Sequence, residues 1–385
     1  MKIIPYGRQY IDTKDVELVS KALRGDLLTT GSYVKIFENK ISKFLKSKYT
    51  ATCSSGTSAL HLALMAIDLK KDDIIIMPSI NFIAIYNVAS FMNAKIFLAD
   101  VDPLSGQMTP KTLEDCIKNN KLKKIKAIII MYLGGYPENV IEFYSIKKKY
   151  KCYLIEDACH ALGAEYLYNN KYLPVGCSKH SDIATFSLHP VKTITSAEGG
   201  LVTTNNKVFY DRIVSARSHG INKNKNFHWK YDIKKKGFNY RLSDLNAALG
   251  LSQLNKINSF LKYRRQIFDI YISELKNYKN LIKFPTYNKN KPSYHLFLVS
   301  INFNKLKSNK DKILKFLKKN NILGQYHYIP IYKFNVFKKK INSNFFKGAE
   351  YYYRNTLSLP IFYNLDFNLL KKITKKVKFF LRNYN

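Results

Sequence analysis

Acidic residues are few for a 385-residue chain: 27 Asp and Glu stand against 64 Lys and Arg, a formal charge of +37. Glycine (16) and proline (11) are also scarce, which excludes collagen-like and Pro- or Gly-rich disordered chains. The five cysteines, Cys53, Cys116, Cys152, Cys159 and Cys177, are an odd set with no Cys-x-x-Cys and no recurring Cys/His spacing. Neither a disulfide framework nor a zinc site is expected from them, and no metal. Small buried thiols in a reducing cytoplasm are the simpler reading. No apolar run approaches the ~20 residues of a membrane helix; Lys95, Asp100 and Lys126 interrupt too soon. The N-terminus meets Arg8 before any apolar core like that of a secretion signal. The expectation is a cytoplasmic protein with no membrane partner.

What is present is apolar: 46% hydrophobic and 14% aromatic residues, ample for a core. The length predicts about two or three domains. The basic runs are scattered, at 121–126, 147–151, 234–236, 338–340 and 371–376. A nucleic-acid binder clusters its cations on one face among aromatics. Here abundant Lys accompanies abundant Ile, Asn, Tyr and Phe, as in a genome-wide residue bias, so the charge reads as solvated surface with no nucleic-acid partner. An anionic substrate benefits from the field in either case.

Leu60, Ala63, Leu64 and Ile67 recur at i, i+3, i+4 and i+7, predicting a helix over 57–69. Near-continuous apolar runs at 74–77, 96–98, 127–133, 153–155, 183–186 and 201–204 read as strands. Helical segments such as 82–92 and 138–149 lie between them. Runs that do not alternate belong to strands covered on both faces, so the fold class is α/β: a mostly parallel sheet flanked by helices. After about residue 250 the spacing predicts a long helix over 246–278, a polar connection through 288–293, and strands at 296–301 and 324–328 bracketing a Lys-rich helix. The division expected is a large α/β domain, 1–250, and a smaller α+β domain, 251–385.

Ligands in open α/β sheets sit beyond the carboxyl ends of the strands, and three segments carry chemistry there. Cys53-Ser54-Ser55-Gly56-Thr57-Ser58 runs into the strongest helix; such a start is a structural cap or an anion cradle, and no Gly-Lys-Ser/Thr follows to make it a Walker A loop. Leu154-Ile155-Glu156-Asp157-Ala158-Cys159-His160 ends an apolar strand in an acid, either a turn former or a carboxylate facing a cleft. Phe186-Ser187-Leu188-His189-Pro190-Val191-Lys192-Thr193-Ile194-Thr195-Ser196-Ala197-Glu198-Gly199-Gly200 delivers Ser, His and Lys into a small-residue loop. A lone Lys in so basic a chain is ordinarily a surface charge; the company it keeps reverses that.

Together these segments resemble the DegT sugar-nucleotide aminotransferase family, within the fold-type I pyridoxal-phosphate enzymes. The resemblance runs from Ile4-Pro5-Tyr6-Gly7-Arg8 to Leu359-Pro360. Further matches are Arg217-Ser218-His219-Gly220, Gly237-Phe238-Asn239-Tyr240-Arg241-Leu242, Ala247-Ala248-Leu249-Gly250-Leu251-Ser252-Gln253-Leu254 and His327-Tyr328-Ile329-Pro330-Ile331-Tyr332. It implies pyridoxal 5′-phosphate as cofactor, joined to Lys192 as a Schiff base, and Asp157 paired with the pyridine nitrogen. His160 would contact the ring hydroxyl or stack nearby, and Phe82 would lie against the ring face unless it is an ordinary core aromatic. Gly56, Thr57 and Ser187 would hold the phosphate. Asn239 would reach the neighbouring subunit's site, which implies a homodimer with shared sites. For the sugar nucleotide the match points to Tyr6, to Asp26, Leu27, Leu28 and Thr29, and to Gln325, Tyr326, His327 and Tyr328; hydroxyl, amide and aromatic groups suit a sugar.

The implied reaction moves an amino group from glutamate, through pyridoxamine phosphate, to C4 of a UDP-linked 4-keto-6-deoxy-N-acetylhexosamine, as in pseudaminic acid synthesis. Leu188, Ser196 and Ala197 stand where the family usually has Phe, Thr and Gly, and Tyr326 is bulkier than the usual residue. Members that act as dehydratases replace the lysine with His, so Lys192 argues for transamination. Two rivals stay open: a transaminase for another keto-sugar nucleotide, and a non-catalytic regulatory or nucleic-acid-binding protein of the same fold.

Overall fold

The computed structural model describes residues 3–223, 229–233, 235–285, 287, 289–336 and 343–383. Met1, residue 234 of one basic run, Asn288 of the polar connection and the whole run 338–340 lie outside them. Seven strands build the central sheet: β1 (Tyr49–Cys53), β2 (Ile74–Pro78), β3 (Lys95–Ala99), β4 (Ile125–Met131), β5 (Tyr153–Asp157), β6 (Ile183–Ser187) and β7 (Gly200–Thr204). Their order is β1-β7-β6-β5-β4-β2-β3. Only β7 runs against its neighbours, β1 and β6; β2–β3, β2–β4, β4–β5 and β5–β6 pair in parallel.

The unbroken apolar runs are explained by two cores, one on each face. Ile76, Ile128, Ile130, Leu154 and Phe186 enter one cluster, while Ile75, Met77, Ile129, Met131 and Ile155 enter the other. Alternate residues of a strand point to opposite faces, so both sets must be apolar when both faces are covered. Because six strands share a direction, the carboxyl ends of β1, β2, β4, β5 and β6 open on one edge. A third cluster, from Ile267 and Tyr271 to Phe380 and Leu381, packs around the small antiparallel sheet of β8 (Ile282–Lys283), β9 (Phe297–Ile301) and β10 (Thr356–Leu359). Ile4 belongs to it, and its backbone bonds to Asn321 and Leu323 (2.8 and 2.9 Å) lead Tyr6 to the sheet edge.

Three expected elements differ. The helix 246–278 is two helices, Asp244–Leu254 and Ile257–Leu275, followed by the 3-10 turn Lys276–Tyr278. The break falls at Lys256, whose ammonium reaches back to Asp12 (2.9 Å) and Asp15 (2.6 Å). β4 ends at Met131, because Gly134 and Gly135 take φ of 75° and 90° in a 3-10 turn. The stretch 324–328 is no strand: Gln325 alone bridges to Ser358, and the following side chains turn toward the sheet edge.

Candidate active site

The edge formed by the strand ends is walled into a cavity of about 490 Å³. Its floor carries Ser55, Gly56 and Thr57 after β1, Asn81 and Phe82 after β2, Asp157, Cys159 and His160 from β5, and Ser187 and Lys192 after β6. His295 and Gln325 to Tyr328 close it from the C-terminal part, beside Tyr6.

Asp157 is 2% exposed, and one of its oxygens accepts from the Cys159 N–H at 3.3 Å. Burial raises its pKa, against the bonds from Cys159 and the charge of Lys192. Lys192 is half-buried in the facing wall, in a loop closed by Lys192 N–H to His189 O (2.9 Å), Leu188 N–H to Gly199 O (2.8 Å) and Ser196 N–H to Leu188 O (3.0 Å). Desolvation lowers the pKa of the Lys192 amine, opposed by Cys159 and Asp157. That makes the neutral amine, the form with a free lone pair, easier to reach.

The helix Gly56–Ala66 starts with a capping box: Ser55 Oγ accepts from Ser58 N–H, and Ser58 Oγ accepts from Ser55 N–H. Ser58 and Ala59 N–H are satisfied, whereas the N–H groups of Gly56 and Thr57 have no protein partner among the described residues. Both cap and cradle are therefore present. A Cβ on Gly56 would meet Ser187 Cβ at 2.8 Å, so only glycine lets the helix start come this close to β6. An anion set here receives two N–H groups, the positive helix end and the Ser187 hydroxyl.

His160 is fixed in one tautomer. Its Nδ1 accepts from Gly134 N–H at 3.2 Å, so Nε2 carries the proton and donates to the Tyr328 hydroxyl oxygen at 3.0 Å. Desolvation, then Lys192 and His327, hold its pKa well below the ordinary value. With both ring nitrogens engaged, a hydrogen bond from His160 into the cavity passes through Tyr328, whose own O–H stays free to donate and whose pKa burial raises well above the ordinary value. His327, lowered to about 3 by desolvation and Lys192, shares a 2.8 Å bond with Ser358 Oγ and lies 5.2 Å from the Tyr6 ring. Phe82 is 53% exposed, with its ring 5.7 Å from that of Tyr328; it offers an open face and is not a core aromatic.

Of the residues expected from sequence, Tyr6, Gly56, Thr57, Phe82, Asp157, His160, Ser187, Lys192 and Gln325 to Tyr328 share this cavity. Asp26, Leu27, Leu28 and Thr29 do not: they lie in an exposed loop. Asn239 is likewise exposed outside it, bridged to Ser218. Sequence reasoning passed over His295 and Asn81. His295 is 4% exposed and 4.2 Å from the His160 ring, and Asn81 is 1% exposed; among the described residues neither the His295 Nδ1 nor either Asn81 amide atom has a hydrogen-bond partner. Asn81 adjoins Phe82 and was within reach; His295 is 135 positions from its neighbour His160 and carried no local signal.

The model of the DegT/DnrJ/EryC1/StrS aminotransferase family matches residues 9–378. The chain belongs to that family. It is 34% identical over 386 residues to the UDP-4-amino-4,6-dideoxy-N-acetyl-beta-L-altrosamine transaminase of Campylobacter jejuni, covering 97% of this chain and 99% of the relative. It is similar to the solved structure of Helicobacter pylori PseC, described as an aminotransferase involved in the biosynthesis of pseudoaminic acid (TM-score 0.89, 28% identity, all of both chains). A second solved structure is the PLP-form of a sugar aminotransferase, Spr1654, of Streptococcus pneumoniae (TM-score 0.90, 25% identity, all of both chains). The protein is a family aminotransferase with pyridoxal 5′-phosphate as its cofactor, and the fold is that of fold-type I enzymes. The cavity fits the group: two unpartnered N–H groups and Ser187 at one end suit a phosphate, a buried carboxylate suits a protonated ring nitrogen, and a desolvated lysine suits an aldehyde. No described helix is long and apolar enough to cross a membrane.

Proposed function

We propose that the protein transfers an amino group from glutamate to C4 of a UDP-linked 4-keto-6-deoxy-N-acetylhexosamine, in the cytoplasm, as a homodimer with shared sites. The observation that carries the reading is the convergence of Lys192, Asp157 and the free Gly56 and Thr57 N–H groups in one cavity; a non-catalytic protein of this fold needs none of them. The end-to-end similarity to the altrosamine transaminase supports the choice of sugar.

Pyridoxal phosphate, when bound, supplies an electron sink that stabilises charge at the carbon losing or gaining a proton. Asp157 holds the ring nitrogen protonated. In the first half-reaction Lys192 would carry the proton from the donor's Cα to the bound coenzyme, and in the second carry one from the coenzyme to sugar C4, which a lysine does best with its amine partly neutral. Ser187 and the helix start orient the phosphate, Phe82 bounds the ring face, and the His160–Tyr328 pair donates from the opposite wall. Tyr6 and Gln325 to Tyr328 form the outer wall for the sugar nucleotide, joined by Asp26 to Thr29 of a second copy, whose Asn239 reaches the phosphate end of the cofactor. Residues 1–250 serve as the cofactor-holding unit and 251–385 as the closing unit; the third cluster, drawn from the second unit apart from Ile4, supports a separate small core, while Leu298 and Tyr332 join that unit to the second cluster.

Lys192→Ala lowers turnover by at least about 10³-fold, and glutamate alone changes the absorption of the bound coenzyme in the wild type. Wild-type turnover in Lys192→Ala rejects the assignment. A panel of keto-sugar nucleotides tests the sugar: preference for a ketosugar without the acetamido group, or with the keto group at C3, favours the related-transaminase reading that Tyr326 motivates.

A further inference from the structure

Lys310 is 7% exposed, in a chain whose other lysines are mostly solvated. Buried lysines are rare unless paired, yet Lys310 has no carboxylate at salt-bridge distance among the described residues. Its ammonium lies 4.0 Å from the centroid of the Tyr326 ring and 4.3 Å from that of Tyr353, and donates to the Tyr353 carbonyl oxygen. The next residue, Asp311, accepts from the Tyr326 hydroxyl. Both stand at the start of the helix Lys310–Lys319, where the side chain of the cap Asn309 accepts from Lys312 N–H at 2.9 Å. Tyr326 is thus held by its face and by its hydroxyl from one helix turn, with Tyr353 edge-on at 5.8 Å, and it lines the outer cavity between Gln325 and His327.

We propose that Lys310 and Asp311 are positioning residues that lock Tyr326 as a rigid wall of the sugar-nucleotide subsite and so set affinity for the keto-sugar without entering the chemistry. This rests on the outer cavity being that subsite. A ring pinned on two sides meets the substrate without first losing rotamer freedom, and a cation against aromatic faces strengthens as water is excluded. Burial draws the Lys310 amine down to about 7, with Asp311 opposing. The other groups facing it are Tyr326 and Tyr353, whose pKa values burial raises. Lys333 also reaches the Tyr353 ring, at 5.6 Å, and is paired with Glu350 at 2.7 Å. The phenols stay protonated at neutral pH, so the Tyr326–Asp311 bond persists while the Lys310 charge fades above pH 7.

Steady-state kinetics of the holoenzyme, with each substrate varied in turn, test the lock. In Lys310→Met, KM for the keto-sugar nucleotide rises about 5- to 30-fold at pH 6.5, while kcat and KM for glutamate stay within about twofold. The wild-type KM for the sugar rises from pH 6 to 8; in Lys310→Met that slope is gone, and in Asp311→Asn it survives on a raised baseline. A 3-fluorotyrosine at position 326 gives a readout that needs no turnover: its 19F resonance titrates near pH 7 in the wild type and is flat in Lys310→Met. An unchanged sugar KM in folded Lys310→Met, or a 19F shift and linewidth at position 326 that Lys310→Met leaves as in the wild type at pH 6.5, overturns the lock. Loss of all turnover on keto-sugars in the wild type, with the 19F titration intact, overturns the functional reading and with it the role in sugar affinity, leaving only the pinning of Tyr326 by Lys310 and Asp311.

Discussion

Ala197 takes a φ of 62° in the loop that carries Lys192, held by its N–H to Thr195 Oγ1 at 3.0 Å. A residue with a Cβ pays about 1–2 kcal/mol in that conformation, and glycine gives back about 0.4–1 kcal/mol through the unfolded chain. Ala197→Gly is therefore expected to stabilise by about 0.5–1 kcal/mol, read as a higher denaturant midpoint; a lower midpoint refutes the assignment of strain. Glu156, one residue before Asp157, is 2% exposed and accepts from the Tyr132 hydroxyl (2.9 Å) and the Gly176 N–H (3.2 Å). Burial nevertheless pushes its pKa up to about 7 from 4.5. Between those values the folded chain keeps a proton that the unfolded chain has lost, so stability from this group is full below pH 4.5 and falls as pH rises to 7, by about 3 kcal/mol. Glu156→Gln cannot titrate. The wild type should lose stability relative to it over that window, and a constant difference in unfolding free energy between pH 4.5 and 7 contradicts the raised pKa. Taken alone, Asp157 was open between a turn former and a cleft carboxylate and Lys192 was ordinarily a surface charge; both were legible in sequence only through the segments around them and the family those segments resemble. His295 and Asn81 were not, since burial without a partner exists only once distant elements have packed.

The helix Ser32–Leu45 begins at Gly31, which has no side chain to cap it. Asp244, 213 positions away, supplies the cap: one carboxylate oxygen accepts from Gly31 N–H at 2.7 Å and the other from Tyr33 (2.9 Å) and Val34 (3.3 Å). Its own N–H bonds to Leu28 O at 2.9 Å, so the same residue fixes the loop of Asp26 to Thr29. A charged acceptor at a helix start stabilises by about 1–2 kcal/mol, and removing it leaves half-buried donors unpaired. Asp244→Ala should cost about 2–3 kcal/mol, with Asp244→Asn losing about half of that; equal stability of all three proteins in urea would rule the cap out. This is the kind of element a local reading misses. The parallel sheet was legible because burial on both faces keeps the runs Ala127 to Met131 of β4 and Leu154 to Ile155 of β5 unbroken and apolar. The split at Lys256 and the irregular course of 324–328 were not, because each is imposed by groups far along the chain, Asp12 and Asp15 in one case and Ser358 in the other.

Across the whole molecule, one chain leaves part of its expected site unassembled. Asp26, Leu27, Leu28, Thr29 and Asn239 are exposed outside the cavity, and Leu27 and Leu28 show 60% and 45% of their surface to solvent. Two neighbouring exposed leucines in a loop tied down by the Asp244 backbone N–H to Leu28 O are suited to a contact rather than to solvent. In a two-fold dimer each copy gives and receives the same patch, so Asn239 of one copy would serve the cavity holding Lys192 of the other. Lys192→Ala and Asn239→Asp are each expected to be nearly inactive as homodimers, the second because a carboxylate faces the phosphate. A dimer of one Lys192→Ala chain and one Asn239→Asp chain, co-expressed with different tags and purified by both, has both defects in one site and neither in the other. It should recover about half of the wild-type activity per dimer. If Asn239 acted within its own chain, every site would carry one defect and the mixed dimer would be as inactive as its parents.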